Sequence, residues 1–288
     1  MDGSESSAPL RLDALLPVEM ARRAEEIGVQ KASMDAASMF VLAILAGAFI
    51  ALGGVFATVS LAGTAAAPWG PMRVLAGAVF SLGLVLVIVG GAELFTGNNL
   101  IVMAWVGRRV RTGALARNWL IVYAGNFVGA VATAFVVYLA RTHDAGAATF
   151  GTTAVGIAHA KLGLGFVQAV ALGVLCNALV CLAVWLTYSA RTTTDRILAV
   201  VPPIAAFVAA GFEHSIANMY FVPLALFIVS FDPGFVAARG LEAAALELSW
   251  SGFLVRNLLP VTIGNVIGGT LLVGVVYWFV YLRPRPRL

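Results

Sequence analysis

The sequence predicts an all-α polytopic membrane protein of six spans. Three observations carry that reading: an extreme apolar composition, six long apolar runs, and basic residues sorted to one side of them. Of 288 residues, 61% are hydrophobic and 11% charged, with a mean hydropathy of +0.95. An ordinary soluble domain is about a quarter charged, so most of this chain must be solvated by lipid.

A helix that crosses a bilayer needs about 20 mostly apolar residues. Runs of that kind lie near Ala36–Ser60, Met72–Trp105, Arg117–Leu139, Leu164–Tyr188, Arg196–Ser230 and Phe253–Leu282. With both termini in the cytoplasm, the inner segments hold Arg11, Arg22, Arg23, Lys31, Arg108, Arg109, Arg111, Arg117, Arg191, Arg196, Arg283, Arg285 and Arg287. The outer ones hold only Arg73, Arg141, Lys161, Arg239 and Arg256. That bias obeys the positive-inside rule. The net charge of +4 is therefore topological, and nucleic acid is excluded as a partner.

Residues 1–34 carry no secretory signal core and are expected to be a cytoplasmic N-terminal segment, with 35–288 forming one transmembrane domain. Within the first segment, Leu15–Ala32 puts Leu16, Met20 and Ile27 on one helical face and Arg22, Glu25 and Lys31 elsewhere. This pattern predicts an amphipathic helix at the cytoplasmic interface. Cys176 and Cys181 lie five residues apart inside one apolar run. That spacing suits neither a disulfide framework nor a metal site, and no cofactor is implied.

The second and fifth runs are each about 35 residues long, more than one straight crossing requires. Each is interrupted by polar residues: Gly90-Gly91-Ala92-Glu93-Leu94-Phe95-Thr96-Gly97-Asn98-Asn99 in one, Gly211-Phe212-Glu213-His214-Ser215-Ile216-Ala217-Asn218 in the other. Irregular backbone at membrane depth survives only where protein or a water-filled cavity covers it. The interruptions align as G-x-E-x-x-x-x-N, with Glu93 on Glu213 and Asn98 on Asn218. The following spans share Gly125-Asn126-Phe127-Val128-Gly129 and Gly264-Asn265-Val266-Ile267-Gly268. Three spans followed by three gives two repeats, about 35–141 and 160–283, of inverted topology. A discontinuous helix in each is an architecture of transport, with the pathway near the midplane. Glycines inside the spans permit close helix packing.

Ionisable groups at membrane depth are functional-site candidates by default, and here they are Glu93, Glu213 and His214. The glutamates, equivalent in the two repeats, are expected to support the breaks by accepting hydrogen bonds from exposed backbone N–H groups. His214 faces Leu94 in the alignment, and that asymmetry suggests that it donates a proton or hydrogen bond to a passing anion. Half-helices starting near Thr96 and Ser215 would aim their partial positive charge at the midplane, which favours anions. No arginine is expected in the pore, and weak attraction suits a channel that must release its ion. Lys161 is placed to recruit anions at the outer mouth.

At these residues the sequence resembles the formate/nitrite transporter family. The resemblance runs over nearly the whole chain and rests on LLPVEMARRAEEIGVQKA, GAELFTGNN, RNWLIVYAGNFVGA, NALVCLAVW, GFEHSIANMYFVP, NLLPVTIGNVIGG and the closing VYWFVYLR. It implies an aquaporin-like six-helix protomer in a homopentamer of the cytoplasmic (inner) membrane, with one pore per protomer. The substrate would be a small monovalent anion, formate first, with nitrite, hydrosulfide, acetate and lactate as others, passing alone or with a proton. It further implies apolar constrictions on either side of a central histidine. Phe80, Leu84 and Phe95 would stand on the second-span side and Phe207 on the cytoplasmic side of the fifth. Thr96, His214, Asn177 and Asn265 would surround the centre, and Lys161 matches the external lysine. Thr96-Gly97-Asn98-Asn99 departs from the smaller serines and threonines of formate channels, although Phe80, Phe207 and the N-terminal segment look like theirs.

Two other classes compete. An aquaporin-type pore for neutral solutes would carry paired Asn-Pro-Ala helix starts and a selectivity arginine, and the sequence has neither. An intramembrane hydrolase using Glu213 and His214 lacks HExxH and GxS elements, and His143 and His159 fall in an outer loop. The chain is not expected to be an enzyme.

Overall fold

The computed structural model describes residues 14–284. Arg11, Arg285 and Arg287, which entered the charge sorting, lie outside them. Five helices among the described residues are long and apolar enough to cross a membrane: Ala36–Leu61 (α2), Trp69–Gly90 (α3, Trp69–Phe80, running on into α4, Leu82–Gly90), Thr112–Leu139 (α7), Phe166–Thr187 (α9) and Trp250–Tyr281 (α14). Short pieces follow α4: α5 (Phe95–Asn98), a tight turn at Asn99–Ile101, and α6 (Val102–Val106). A further apolar stretch is split into α10 (Thr193–Ala209) and α11 (Ser215–Phe231). Helices α1 (Pro17–Ser33), α8 (Thr149–Leu162), α12 (Pro233–Ala238) and α13 (Glu242–Glu247) and a short turn of helix at Thr142–Asp144 complete the described residues. The protein is an all-helical membrane protein.

Packing depends on small residues, because lipid supplies no hydrophobic force between helices and close van der Waals contact must. Helix α2 lies against α7 where Gly47, Gly125 and Gly129 leave no room for a Cβ, and α9 lies against α14 in the same way at Gly173, Gly264 and Gly268. Polar caps start the helices at their ends: Asp35 accepts from the Ser38 N–H, and Thr192 and Asp195 form a capping box on α10.

The N-terminal helix departs from expectation. Its buried stripe is Met20, Ala21, Ala24, Gly28 and Ala32, packed on residues 99–106, whereas Leu16 precedes the helix and is 68% exposed. Close approach to the backbone of Ile101 selects small side chains, since a Cβ on Gly28 would already crowd Ala104. Its last turn brings Lys31 into the protein interior, where it meets Glu93.

Candidate functional site

Both breaks are built in the same way. Helix α4 is capped by Gly91 (φ +75°) and α10 is followed by Gly211 (φ +75°), left-handed conformations that glycine adopts without a Cβ penalty. The chain then runs extended and starts a new helix, which leaves backbone donors and acceptors exposed. One asparagine in the helix after each break satisfies them. Asn126 accepts from the Phe95 N–H at 2.9 Å and donates to the carbonyls of Ala43 (2.7 Å) and Glu93 (2.9 Å). Asn265 accepts from the Ser215 N–H at 2.9 Å and donates to Gly173 (2.8 Å) and Glu213 (2.9 Å). The expectation that the glutamate carboxylates would take these N–H groups is corrected: a carboxylate only accepts, whereas an amide can satisfy exposed donors and acceptors together. Asn265 is fully buried in this brace and lines neither of the two cavities that approach the centre.

The carboxylates face lysines. Glu93 takes Lys31 Nζ at 2.5 Å and Asn98 Nδ2 at 2.7 Å, and Asn118 links Asn98 to the Lys31 carbonyl. Glu213 takes Lys161 Nζ at 2.8 Å and Asn218 Nδ2 at 2.7 Å, and Asn257 links Asn218 to the Lys161 carbonyl. Lys161 is therefore no free recruiting charge but half of an ion pair, its side chain 16% exposed and its ammonium 5.5 Å from the centre of the Phe221 ring. Lys31, Asn118 and Asn257 are the members of this arrangement that the residue patterns did not single out.

His214 sits at the N-cap of α11. Its Nδ1 accepts from the Ala217 N–H at 3.0 Å, so the proton of the neutral ring resides on Nε2, which donates to Thr96 Oγ1 at 3.0 Å. The ring stacks on Phe207 at 5.8 Å. Thr96 is fully buried, and its carbonyl takes Asn177 Nδ2 and Cys181 Sγ, each at 3.3 Å. Asn177 also donates to Asn99 Oδ1 (2.8 Å) and the Asn265 carbonyl (2.7 Å), holding the two breaks together without lining either cavity.

Two cavities approach this centre and share no lining residue. One, of about 360 Å³, is bounded by Arg23, Lys31, Leu84, Glu93, Leu94, Tyr188 and Arg196. The other, of about 260 Å³, is bounded by Arg73, Phe80, Lys161, Phe207, Glu213, His214 and Phe221. Phe80 and Leu84, one helical turn apart on α3–α4, fall in different cavities, so the closed zone lies between them. Three expectations change here. Phe207 lies on the Lys161 side with Phe80, edge-on to it at 5.8 Å, rather than on the opposite side. Phe95 points away from both cavities, against Trp119 and Tyr123, because the side chain of the first residue of α5 faces α7. Arginines do line the cavities, since the extra length of their side chains carries charge from the helix ends toward the centre.

An all-helical membrane protein with paired helix breaks, a buried histidine between them and a cavity on each side belongs to the class of transport proteins. Comparison with known proteins makes the class specific. The formate/nitrite transporter model matches residues 18–279, and the chain belongs to that family. It is 45% identical over 273 residues to the formate channel FocA of Escherichia coli strain K12, covering 94% of this chain and 96% of that one. A solved pentameric formate channel with formate bound superposes with a TM-score of 0.80 at 42% identity, over 86% of this chain and 98% of that one. A solved ion channel of the same family gives a TM-score of 0.77 at 27% identity, over 91% and 98%.

Proposed function

We propose that the chain conducts small monovalent anions, formate foremost, through a pore in each subunit of a homopentamer in the cytoplasmic membrane, with both termini inside. The observation that carries this reading is the buried imidazole of His214, which joins the two helix breaks through Thr96 and lines one of two cation-bearing cavities together with Phe80 and Phe207, Leu84 lining the other. Relatives named as formate channels at 45% and 40% identity support the substrate.

The reading takes the fold as six aquaporin-like spans in inverted 3+3 repeats, α10–α11 being the fifth span. The matched bonds of Lys31 and Lys161 extend each repeat to include the helix before its first span, α1 in one half and α8 in the other. Helix α1 (Pro17–Ser33) is then part of the permeation unit rather than a separate segment.

An anion entering from either side meets positive charge, then an apolar closure. A bare carboxylate costs several kcal/mol in such surroundings and the neutral acid far less, while an apolar ring also resists ions by dewetting. His214 Nε2–H, already aimed at Thr96, is a donor at the closure that can turn to an arriving carboxylate and share its proton. Thr96 then replaces the lost partner or follows the anion. Asn177 and Asn265 hold this geometry, and Glu93, Glu213, Asn98 and Asn218 anchor the breaks.

Stopped-flow uptake of formate, acetate, lactate, nitrite and hydrosulfide into proteoliposomes, with an internal pH dye, tests the proposal. Saturable formate flux above protein-free vesicles is expected. Flux of glycerol or water without any anion flux would favour a neutral-solute pore instead.

A further inference from the structure

The charge balance of the Lys161-side cavity points to a residue that neither sequence motif nor symmetry singles out. Lys161 is neutralised by Glu213, whose two oxygens are fully engaged by Lys161, Asn218 and Asn257. The cavity wall holds one more cation, Arg73, on the first turns of α3. Its guanidinium is fixed from behind: Nη2 donates to the Val208 carbonyl at 2.8 Å and Nε to the Ala209 carbonyl at 3.4 Å. The Ala209 carbonyl has no backbone partner among the described residues because α10 stops at the break, and the Val208 carbonyl takes the Gly211 N–H as well as Arg73. Nη1 has no hydrogen-bond partner among the described residues. The result is a guanidinium whose position is set by backbone and whose remaining edge belongs to the cavity that His214 also lines.

We propose that Arg73 is an oxyanion-binding residue of this cavity, which holds a planar two-oxygen anion such as formate before it reaches His214. The inference rests on the anion-channel reading above and sharpens it toward a substrate class. A guanidinium edge matches a carboxylate with two parallel N–H···O bonds, which a lysine ammonium cannot do and an anion with a single acceptor atom, such as hydrosulfide, cannot accept. Pinning by Val208 and Ala209 lowers the ordering cost of capture. One guanidinium edge, open to the cavity and without a second arginine opposite, gives capture loose enough for onward passage.

The test compares wild type, Arg73→Lys and Arg73→Gln in proteoliposomes, measuring half-saturation and maximal rate for formate and for hydrosulfide after subtraction of protein-free vesicles. Arg73→Lys is expected to raise the formate half-saturation about tenfold while hydrosulfide uptake stays at the wild-type level. Arg73→Gln is expected to weaken both. Formate half-saturation unchanged in Arg73→Lys would overturn the fork role. Maximal rates for both anions falling together in both variants, in step with a lowered melting temperature of the detergent-solubilised protein, would mark Arg73 as a brace of the break and overturn it equally. Wild-type vesicles that carry no formate at all would instead defeat the channel reading itself.

Discussion

The imidazole of His214 is held at both nitrogens, Nδ1 by the Ala217 N–H and Nε2 by Thr96 Oγ1, each at 3.0 Å. One contact is structural and the other joins the two helix breaks. Asparagine preserves the first, because its side-chain oxygen is an efficient N-cap, whereas phenylalanine removes it at a cost of about 1 kcal/mol. His214→Asn is therefore expected to fold and assemble like wild type and to lose the change from anion-like to acid-like transport between about pH 8 and about pH 5. Paired flux and internal-pH traces decide the matter. A wild-type pH profile in His214→Asn would leave His214 as a cap and nothing more.

The constriction residues separate by where they point. Phe80→Ala and Phe207→Ala remove rings from the cavity wall beside His214 and should relax discrimination between formate and lactate. Phe95→Ala removes a ring packed on Trp119 and Tyr123; it should lower stability by about 3 kcal/mol, the usual cost of such a cavity, and leave selectivity alone. Lactate flux measured against formate flux, with melting temperatures alongside, checks both halves. A selectivity change in Phe95→Ala would return that ring to the filter.

The brace at the second break makes a sharper demand. Asn265 satisfies one N–H and two carbonyls, and each buried group left unpaired costs about 1–3 kcal/mol. Asn265→Asp is nearly isosteric but sets a carboxylate against the Gly173 and Glu213 carbonyls. Loss of folded protein in detergent is the expected outcome, for Asp no less than for Leu. A melting temperature near wild type in Asn265→Asp would refute the brace.

Much of this was legible in the sequence for identifiable reasons. The breaks show in Gly90-Gly91 and Gly211 because a left-handed residue followed by an ionisable one has few alternatives inside an apolar run. The direction of Phe95 did not show, since a side chain at a helix start can face pore or neighbour with the same residue type. Nor did the partner of Lys31, which lies 62 residues away. A signal was present: Arg117-Asn118 and Arg256-Asn257 each stand eight residues before the brace asparagine, and Lys31 and Lys161 each stand five residues before the start of a long helix. Charges with the same spacing in both halves would have pointed to structure before recruitment.

Structure and recruitment make opposite demands on Lys161. If it served mainly to recruit anions from solution, Lys161→Met would reduce capture and leave the fold intact, and adding Glu213→Gln would restore nothing. The structure instead pairs Lys161, 16% exposed, with Glu213, 6% exposed. Removing one member of such a pair leaves a buried charge unpaired and costs about 3–5 kcal/mol, whereas replacing both is close to neutral. Lys161→Met and Glu213→Gln should each be severely destabilised and the double variant substantially recovered. Lys31→Met and Glu93→Gln should behave in the same way, with a smaller penalty because Lys31 is 27% exposed. A thermal-stability double-mutant cycle in detergent measures the coupling directly. Additive losses in both cycles would show that the pairs are incidental, and Lys161 would again stand as a recruiting charge at the mouth of its cavity.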